Sequence, residues 1–428
     1  MKRLLLFAAV LLSTAMLHAQ EFDAHFDDAT LRIDYTFSGN AESEFVALND
    51  LSKSPNWWGR RINLDSVPMR GNGDITLYDP ATRKVLYKSS FSSLFQEWVT
   101  TSEAAHVTRS FEFTLLVPMP RQSVEAEIVL RNNEGDVACS MRHLIDPKDR
   151  LIRDVSQRAP LAYEYLHRGG DSKQAIDVAI LAEGYTEEQM ELFLADARIA
   201  AEEILSYEPF NRHRDKFNFI AVLSPSHDSN VSVPQDDAWR ETAVSSNFLT
   251  FYMERYLTSS HVYAMYDLVT NIPCEHFVIL ANTDTYGGGG IYNSYTLTTA
   301  HHPAFRPVVV HEFGHSFAGL GDEYFYATTD NNDEMHSIEH EPWEPNITTL
   351  VDFESKWVDM VSEGVEIPTA VTPERTKSYT VGVYEGGGYR SKGIYRPTDV
   401  CRMRNNTADR FCPVCQRAIE RVILHQAE

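Results

Sequence analysis

The sequence predicts an α+β multidomain chain, with a β-sandwich in its N-terminal part and an α/β domain after it. Short alternating or aromatic-rich segments fill the first third of the chain, whereas strand-like and helix-like segments alternate in the rest. The length of 428 residues agrees, because a single hydrophobic core rarely serves more than about 250–300 residues. We therefore predict a β-sandwich domain at 20–145, a linker at 146–172 and a second domain at 173–428.

The predicted strands of the N-terminal domain have a side-chain period of two. Segments 31–37, 110–117 and 124–130 alternate between apolar and polar residues or are rich in aromatic residues. The residues at 132–136, Asn-Asn-Glu-Gly-Asp, are typical of a turn after the last of these strands. No long helical period interrupts this part of the sequence, so a β-sandwich is the predicted architecture.

The predicted elements of the second domain alternate between strand and helix. Segments 177–181, 217–223 and 277–280 are short and apolar, which is typical of buried strands. Thr186 and Gln189 have the spacing of a capping box, and an apolar stripe follows them. These features predict an α/β domain in which helices cover a sheet.

The segment 311–315, His-Glu-Phe-Gly-His, is an HExxH motif and contains the side chains that a zinc hydrolase needs on one helical turn. Residues four apart lie on the same helix face, so His311 and His315 can bind one Zn²⁺ ion. Glu312 follows the first histidine, where its carboxylate can act as the general base toward water. An apolar segment precedes the motif and Gly319 follows it, as expected for a buried helix that ends at a glycine.

A catalytic zinc site needs a third protein ligand, and the residues after Gly319 offer two candidates. In the metzincin pattern, this ligand comes three residues after the glycine that ends the helix. Gly319 comes one residue later than in that pattern, but the spacing from glycine to ligand selects Asp322. Glu323 is the alternative ligand if the extra residue shifts the position by one. The second domain is therefore predicted to be a metzincin-like zinc metallopeptidase domain.

Residues 1–19 have the form of a signal peptide, with two basic residues, an apolar segment and Ala19 at the expected cleavage site. The apolar segment is too short to span a bilayer, and no other segment approaches the ~20 residues that a transmembrane helix needs. We expect a protein that is secreted, periplasmic or on the cell surface, without a transmembrane segment. Its net charge of −23 argues against nucleic-acid binding.

Two interpretations of the cysteines are open. The cysteines are Cys139, Cys274, Cys401, Cys412 and Cys415. In an exported chain, a disulfide between Cys401 and either Cys412 or Cys415 is expected. The Cys-Pro-Val-Cys spacing at 412–415 instead allows a structural zinc, with Cys401 as third ligand and Cys274 or a histidine as the fourth.

Three other features are candidates for the same site. Met403 is either a methionine beneath the metal or an ordinary core residue. Tyr384 and Tyr395 are candidate donors to an oxyanion. The glycines at 287–290 lack the Lys-Ser/Thr of a phosphate loop and instead predict a close backbone approach beside a cleft.

The segment 311–324, which contains the HExxH motif, resembles the zinc motif of the IgA peptidase family of secreted bacterial zinc metallopeptidases, metallopeptidase family 64. Segments 181–186, 226–232 and 395–415 are similar to this family as well. The resemblance runs from about residue 174 to the C-terminus, and the β-rich first part is similar in kind to the family's N-terminal domain. It implies a secreted zinc endopeptidase whose founding activity is the cleavage of immunoglobulin A. The expected partner is a protein or peptide substrate, for which host immunoglobulin and glycoprotein are candidates; the resemblance does not imply that this member cleaves immunoglobulin A.

Three functions are compatible with this sequence, and the third, a zinc amidase that acts on a non-peptide amide, uses the same chemistry as the first. The first is a zinc-dependent endopeptidase in which His311, His315 and Asp322 bind the metal and Glu312 acts as general base. The second is a surface binding or adhesion protein with a non-catalytic metal site. The intact Glu312 favours the enzyme, since a protein that has lost its activity usually loses the base before the ligands.

Overall fold

The structure is a computed structural model, and it describes residues 22–326, 336–372, 374 and 379–427. The predicted signal peptide at 1–19 lies outside the described residues. Within the described ranges, no helix is both long and apolar enough to cross a membrane.

The strands are numbered in chain order. They are β1 (Phe26–Gly39), β2 (Glu44–Pro55), β3 (Gly73–Tyr78), β4 (Val85–Phe91), β5 (Arg109–Pro120), β6 (Val124–Arg131), β7 (Val137–Ile145), β8 (Arg153–Asp154), β9 (Tyr163–Arg168), β10 (Ile176–Glu183), β11 (Phe217–Val222), β12 (His276–Ala281), β13 (Gly288–Ile291), β14 (Tyr295–Thr299), β15 (Tyr384–Gly387) and β16 (Arg390–Arg396). The α-helices are α1 (Leu94–Trp98), α2 (Met190–Ser206), α3 (Val262–Leu268), α4 (Phe305–Ala318) and α5 (Pro413–Gln426).

The N-terminal β domain that the sequence predicts is confirmed. It consists of two four-stranded sheets, with strand orders β5-β1-β2-β8 and β4-β3-β6-β7. Aromatic rings from both sheets meet in its core, where Phe113 of β5 lies 4.9 Å from Phe37 of β1 and 4.4 Å from Phe91 of β4, measured between ring centroids. Such ring pairs bury large apolar areas, so they hold the two sheets together.

The α/β domain contains a six-stranded sheet with the order β13-β14-β12-β10-β11-β9. The four central strands are parallel, while β13 and β9 are antiparallel edge strands. The apolar segments 177–181, 217–223 and 277–280 lie in β10, β11 and β12, as predicted. The predicted capping box is also present, and its residues Thr186 and Gln189 precede α2. Parallel strands covered on both faces have continuous apolar sequences, which explains why these three were recognisable.

The two faces of this sheet pack against different elements. Along β10, Ile180 lies in a core formed with α2, α4 and α5, whereas Leu181 lies in a core shared with α3 and the N-terminal β domain. Polar contacts reinforce the second core, since Arg32 Nη1 of β1 donates to Asp267 Oδ1 of α3 over 2.6 Å. The two domains are therefore packed through one continuous apolar core.

The segment 146–172, predicted as a linker, contains two strands. β8 pairs in parallel with β2 of the N-terminal β domain, and β9 pairs with β11 at the edge of the α/β sheet. The α/β sheet thus begins before residue 173, the predicted domain start. β9 is an edge strand with exposed or partly buried side chains, so its sequence lacks the apolar continuity of a central strand.

Candidate metal centre and active site

Helix α4 carries both histidines of the HExxH motif and ends at Ala318, directly before Gly319, as predicted. Phe313 and Phe317 are fully buried beneath the sheet and fix the helix on its apolar side. Gly319 follows the helix with φ +54°, a left-handed conformation that favours glycine. The chain therefore turns sharply after α4 and leads directly to Asp322.

Three side-chain atoms of the predicted ligands lie close together. His311 Nε2 is 3.0 Å from His315 Nε2. Asp322 Oδ1 lies 3.1 Å from His311 Nε2 and 3.4 Å from His315 Nε2. Ligand atoms about 2.0–2.2 Å from a tetrahedral zinc are roughly 3.3–3.5 Å from each other. The three distances are close to those of atoms that share one cation.

Backbone carbonyl groups orient both imidazoles. His311 Nδ1 lies 3.0 Å from the carbonyl oxygen of Arg402, and His315 Nδ1 lies 2.5 Å from that of Leu320. When each Nδ1–H donates to its carbonyl, each Nε2 presents a lone pair to the cluster. This is the tautomer that a metal ion requires.

The two carboxylate oxygens of Asp322 have different neighbours. Oδ1 faces the two histidines, and Oδ2 faces Tyr389. Tyr389 donates its hydroxyl hydrogen to Asp322 Oδ2 over 2.5 Å. Asp322 Oδ1 is buried without a hydrogen-bond donor, and the Nε2 atoms near it can donate only from doubly protonated histidines. Burial alone would raise the pKa of Asp322, but positive charge on His315 and His311 holds it well below its ordinary value. The position thus stabilises a carboxylate that faces positive charge, which a metal ion would also supply.

Charges within the cluster also shift the pKa values of His315 and of Glu312, the candidate base. Burial would lower the pKa of His315, but Asp322 and Glu312 together raise it to about 9. Burial raises the pKa of Glu312 above its ordinary value, and His311 and His315 offset part of that rise. These side chains therefore shift one another's pKa values, as expected of titratable groups at a functional site.

Edge strand β13 lies directly against α4, as the glycines at 287–290 predict. A Cβ atom on Gly288 would lie 2.9 Å from Oε1 of Glu312, and one on Gly290 would lie 2.4 Å from the Glu312 carbonyl oxygen. Position 290 therefore requires glycine, because the backbone of α4 cannot move aside, whereas a side chain at position 288 would displace the carboxylate of Glu312. Their lack of side chains lets the edge of the sheet reach the helix face that carries the site.

A loop around Met403 runs beneath α4. A Cβ atom on Gly314, between the two histidines, would lie 2.9 Å from Met403 Sδ, and Met403 is fully buried. The backbone N–H of Glu323 donates to the carbonyl oxygen of Met403 over 2.9 Å. Since Arg402 of the same loop accepts from His311, this loop supports both the helix and the turn after it.

Tyr389 is the tyrosine whose hydroxyl group contacts Asp322. Tyr384 is buried, and its hydroxyl group donates to the carbonyl oxygen of Thr380 over 3.2 Å. Tyr395 pairs through its backbone with Thr348. Sequence reasoning missed Tyr389, whose only local signal is the preceding run of glycines at 386–388.

Glu323, the alternative third ligand, contacts cysteines instead of the histidines. Its Oε1 lies 3.1 Å from Cys415 Sγ. All five cysteines lie in the described part of the chain, and none forms a disulfide there. Cys274, one suggested fourth ligand, is buried elsewhere, with its thiol near the carbonyl oxygen of His276.

Two family models match the chain. The one described as IgA Peptidase M64 matches residues 165–378 and 369–423, and the one described as Peptidase M64 N-terminus matches residues 21–141. No curated protein matches the chain. The first match contains every side chain of the site described above.

Proposed function

Because the chain belongs to the IgA peptidase M64 family, it is a peptidase, and we propose that it is a secreted zinc-dependent endopeptidase. The main support is the convergence of His311 Nε2, His315 Nε2 and Asp322 Oδ1 within 3.0–3.4 Å of one another. Glu312 lies beside this cluster on the same helical turn. These are the four side chains that hydrolysis of a peptide bond by activated water requires.

The donor atoms suit zinc. Two imidazoles and one carboxylate are the ligand set of several catalytic zinc sites, which keep a further position open for water. The buried Asp322 Oδ1 supports the assignment, since its neighbours are the two Nε2 atoms, and with both imidazoles neutral only a cation would compensate its charge. When bound, zinc would polarise the scissile carbonyl group and lower the pKa of water to about 7.

In this proposal Glu312 moves the proton. Its carboxylate accepts a proton from the attacking water and then passes it to the nitrogen of the leaving amine. Burial raises the pKa of Glu312. Holding the proton between the two transfers therefore costs less free energy than it would for an exposed glutamate. The elevated pKa therefore suits a group that must both accept and donate.

Other residues would act by positioning. Tyr389 fixes the carboxylate of Asp322, and the carbonyl groups of Leu320 and Arg402 fix the imidazoles. Such outer contacts typically change metal affinity or activity by about 10–100-fold when they are removed. We also propose that Met403 is the methionine beneath the metal in metzincin-like enzymes, because its sulfur packs against Gly314.

The proposed location and substrate follow from the sequence and from the family. Export rests on the signal-peptide pattern at residues 1–19. The substrate class is protein or peptide, as for any endopeptidase. Cleavage of immunoglobulin A is proposed from the family description alone.

The substitution Glu312→Gln tests the chemistry. A neutral amide cannot accept the proton, so we expect a loss of cleavage of at least about 10²–10⁴-fold while the metal remains bound. The readout is new N-termini in a protein library digested by wild type and variant, with and without a chelator. Glu134→Gln, in an exposed turn, is the matched control and should cleave like wild type.

Two results would overturn this proposal. Cleavage by Glu312→Gln at the wild-type rate would mean that the residue is not the base. Absence of any chelator-sensitive cleavage by metal-loaded wild type would favour the binding or adhesion protein instead.

A further inference from the structure

A second group of possible metal ligands lies behind the catalytic cluster. It consists of Glu323, Cys401, Cys412 and Cys415, which we call the thiolate cluster. All four side chains are fully buried, and their ligand atoms lie within 4.8 Å of one another. The proposed peptidase mechanism uses none of them.

The distances in the thiolate cluster fit a tetrahedral zinc. Cys401 Sγ lies 3.8 Å from Cys415 Sγ. Glu323 Oε1 lies 3.1 Å from Cys415 Sγ and 3.9 Å from Cys412 Sγ. With Zn–S bonds of about 2.3 Å and Zn–O bonds of about 2.0–2.2 Å, sulfur atoms would be about 3.8 Å apart and sulfur and oxygen about 3.5 Å apart.

We propose that Glu323, Cys401, Cys412 and Cys415 bind a second zinc ion with a structural role. Four protein ligands leave no open position for water, which distinguishes structural from catalytic zinc sites. The proposal is independent of the peptidase activity.

The buried carboxylate of Glu323 favours a metal over a disulfide. Its Oε1 accepts from Asn346 Nδ2 over 2.9 Å, but its Oε2 is buried without a hydrogen-bond partner among the described residues. An ionised carboxylate removed from water is unfavourable unless a cation or hydrogen-bond donors compensate it. A disulfide between Cys401 and Cys415 would leave Glu323 Oε2 without a partner, whereas a divalent cation would bind the carboxylate.

The backbone around the sulfur atoms also suits thiolate ligands. Cys412 caps the N-terminus of α5, where its Sγ accepts from the N–H of Cys415 over 3.5 Å. The N–H of Cys412 donates to Cys401 Sγ over 3.3 Å. Thiolates are favoured at helix N-termini and beside hydrogen-bond donors, and thiolate is the form that binds zinc.

A metal in the thiolate cluster would hold two segments of the catalytic site in place. Glu323 directly follows the catalytic ligand Asp322. Cys401 directly precedes Arg402, whose carbonyl oxygen orients His311. The second zinc would therefore link the turn after α4 to the loop beneath it, and its loss should loosen the catalytic site.

The test removes the catalytic ligands first. The double variant His311→Ala, His315→Ala should retain about one zinc per chain by elemental analysis, compared with about two in wild type. When the double variant is loaded with Co²⁺ instead, it should show thiolate-to-metal charge-transfer absorption in the near ultraviolet. A double variant without metal, or a cobalt form without that absorption, would overturn the proposal.

A further substitution assigns the ligands. Adding Cys412→Ser to the double variant should abolish the remaining metal binding and the cobalt absorption. Adding Cys139→Ser, at the partly buried Cys139 of β7 outside the cluster, should leave both unchanged. Equal metal content in both triple variants would contradict the ligand assignment.

A measurement on the wild type covers the case in which Cys412→Ser does not fold. After denaturation with chelator but without reductant, all five cysteines should react as free thiols. A disulfide within the cluster would leave only three reactive thiols and a mass lower by two hydrogen atoms, which would overturn the proposal. Neither outcome depends on whether the protein cleaves a substrate.

Discussion

The carboxylates of Asp322 and Glu323 contact two different ligand clusters, although the residues are consecutive in the chain. Asp322 Oδ1 lies 3.1 Å from His311 Nε2, and Glu323 Oε1 lies 3.1 Å from Cys415 Sγ. Successive side chains of an extended segment point to opposite sides, so one short segment can supply ligands to two sites. Substitutions at these adjacent positions should therefore separate the two proposed metals.

We expect Asp322→Ala to remove the catalytic metal and to leave the metal of the thiolate cluster in place. Because Asp322 is a direct ligand, its loss should weaken metal binding more than the loss of an outer contact, which typically costs up to about 100-fold. Competition with a chelator, followed by elemental analysis, measures this affinity. Glu323→Gln is the matched comparison: it removes a ligand of the thiolate cluster and should weaken that metal far more than the catalytic one. Full catalytic metal in Asp322→Ala would assign the third ligand elsewhere.

Tyr389→Phe should weaken the catalytic site without unfolding the protein. The substitution removes the hydrogen bond of 2.5 Å to Asp322 Oδ2 and retains the ring. We expect metal affinity or activity to fall by about 10–100-fold. Tyr379→Phe is the control, because the Tyr379 hydroxyl group donates to exposed Asp409. Equal metal affinities in the two variants would show that Tyr389 does not position the ligand.

Gly290→Ala should push β13 away from α4. The added Cβ atom would lie 2.4 Å from the Glu312 carbonyl oxygen and 2.7 Å from His315 Cβ. Overpacking of this kind costs about 1–3 kcal/mol of unfolding free energy, and it should also reduce metal affinity because both neighbours belong to the site. Chemical denaturation measures the first effect and chelator competition the second. Gly387→Ala, whose nearest contact would be at 3.7 Å, should change neither.

Asp177 should make stability depend on pH. Burial raises its pKa to about 7, and the hydrogen bonds from Asn218 and Ser172 offset only part of that rise. Because the folded-state pKa exceeds the unfolded value of 3.8, the proton stabilises the folded state. That contribution is complete below pH ~4 and is lost as the pH rises through ~7.

We therefore expect the unfolding free energy of Asp177→Asn to fall less than that of wild type between pH ~4 and ~8. The difference between the two falls should be on the order of 4 kcal/mol at most. Denaturant unfolding at several pH values measures the difference. Asp65→Asn, at an exposed position, should follow the wild-type curve. Parallel stability curves for wild type and Asp177→Asn across this range would contradict the prediction.

The parts of the fold that the sequence predicted are those with local or continuous patterns. Buried strands β10, β11 and β12 are apolar on both faces, so each is visible as an uninterrupted apolar segment. Edge strand β9 was not visible, because pairing with β11 stabilises it and its side chains remain largely exposed. Backbone hydrogen bonds carry no residue-specific signal.

The sequence by itself determined the side chains that face one another on α4. Residues four apart share a helix face whatever surrounds the helix, so the spacing of His311 and His315 is enough to pair them. The glycines at 287–290 likewise predicted a close approach, because little else can occupy such positions.

Only the tertiary structure decided which distant groups complete the site. The hydroxyl group of Tyr389 is 67 residues from Asp322, and the carbonyl group of Arg402 is 91 residues from His311. The choice between Asp322 and Glu323 depends on the direction in which each side chain leaves the turn after α4. The partners of each carboxylate come from loops far along the chain, and no spacing within the motif encodes where those loops pack.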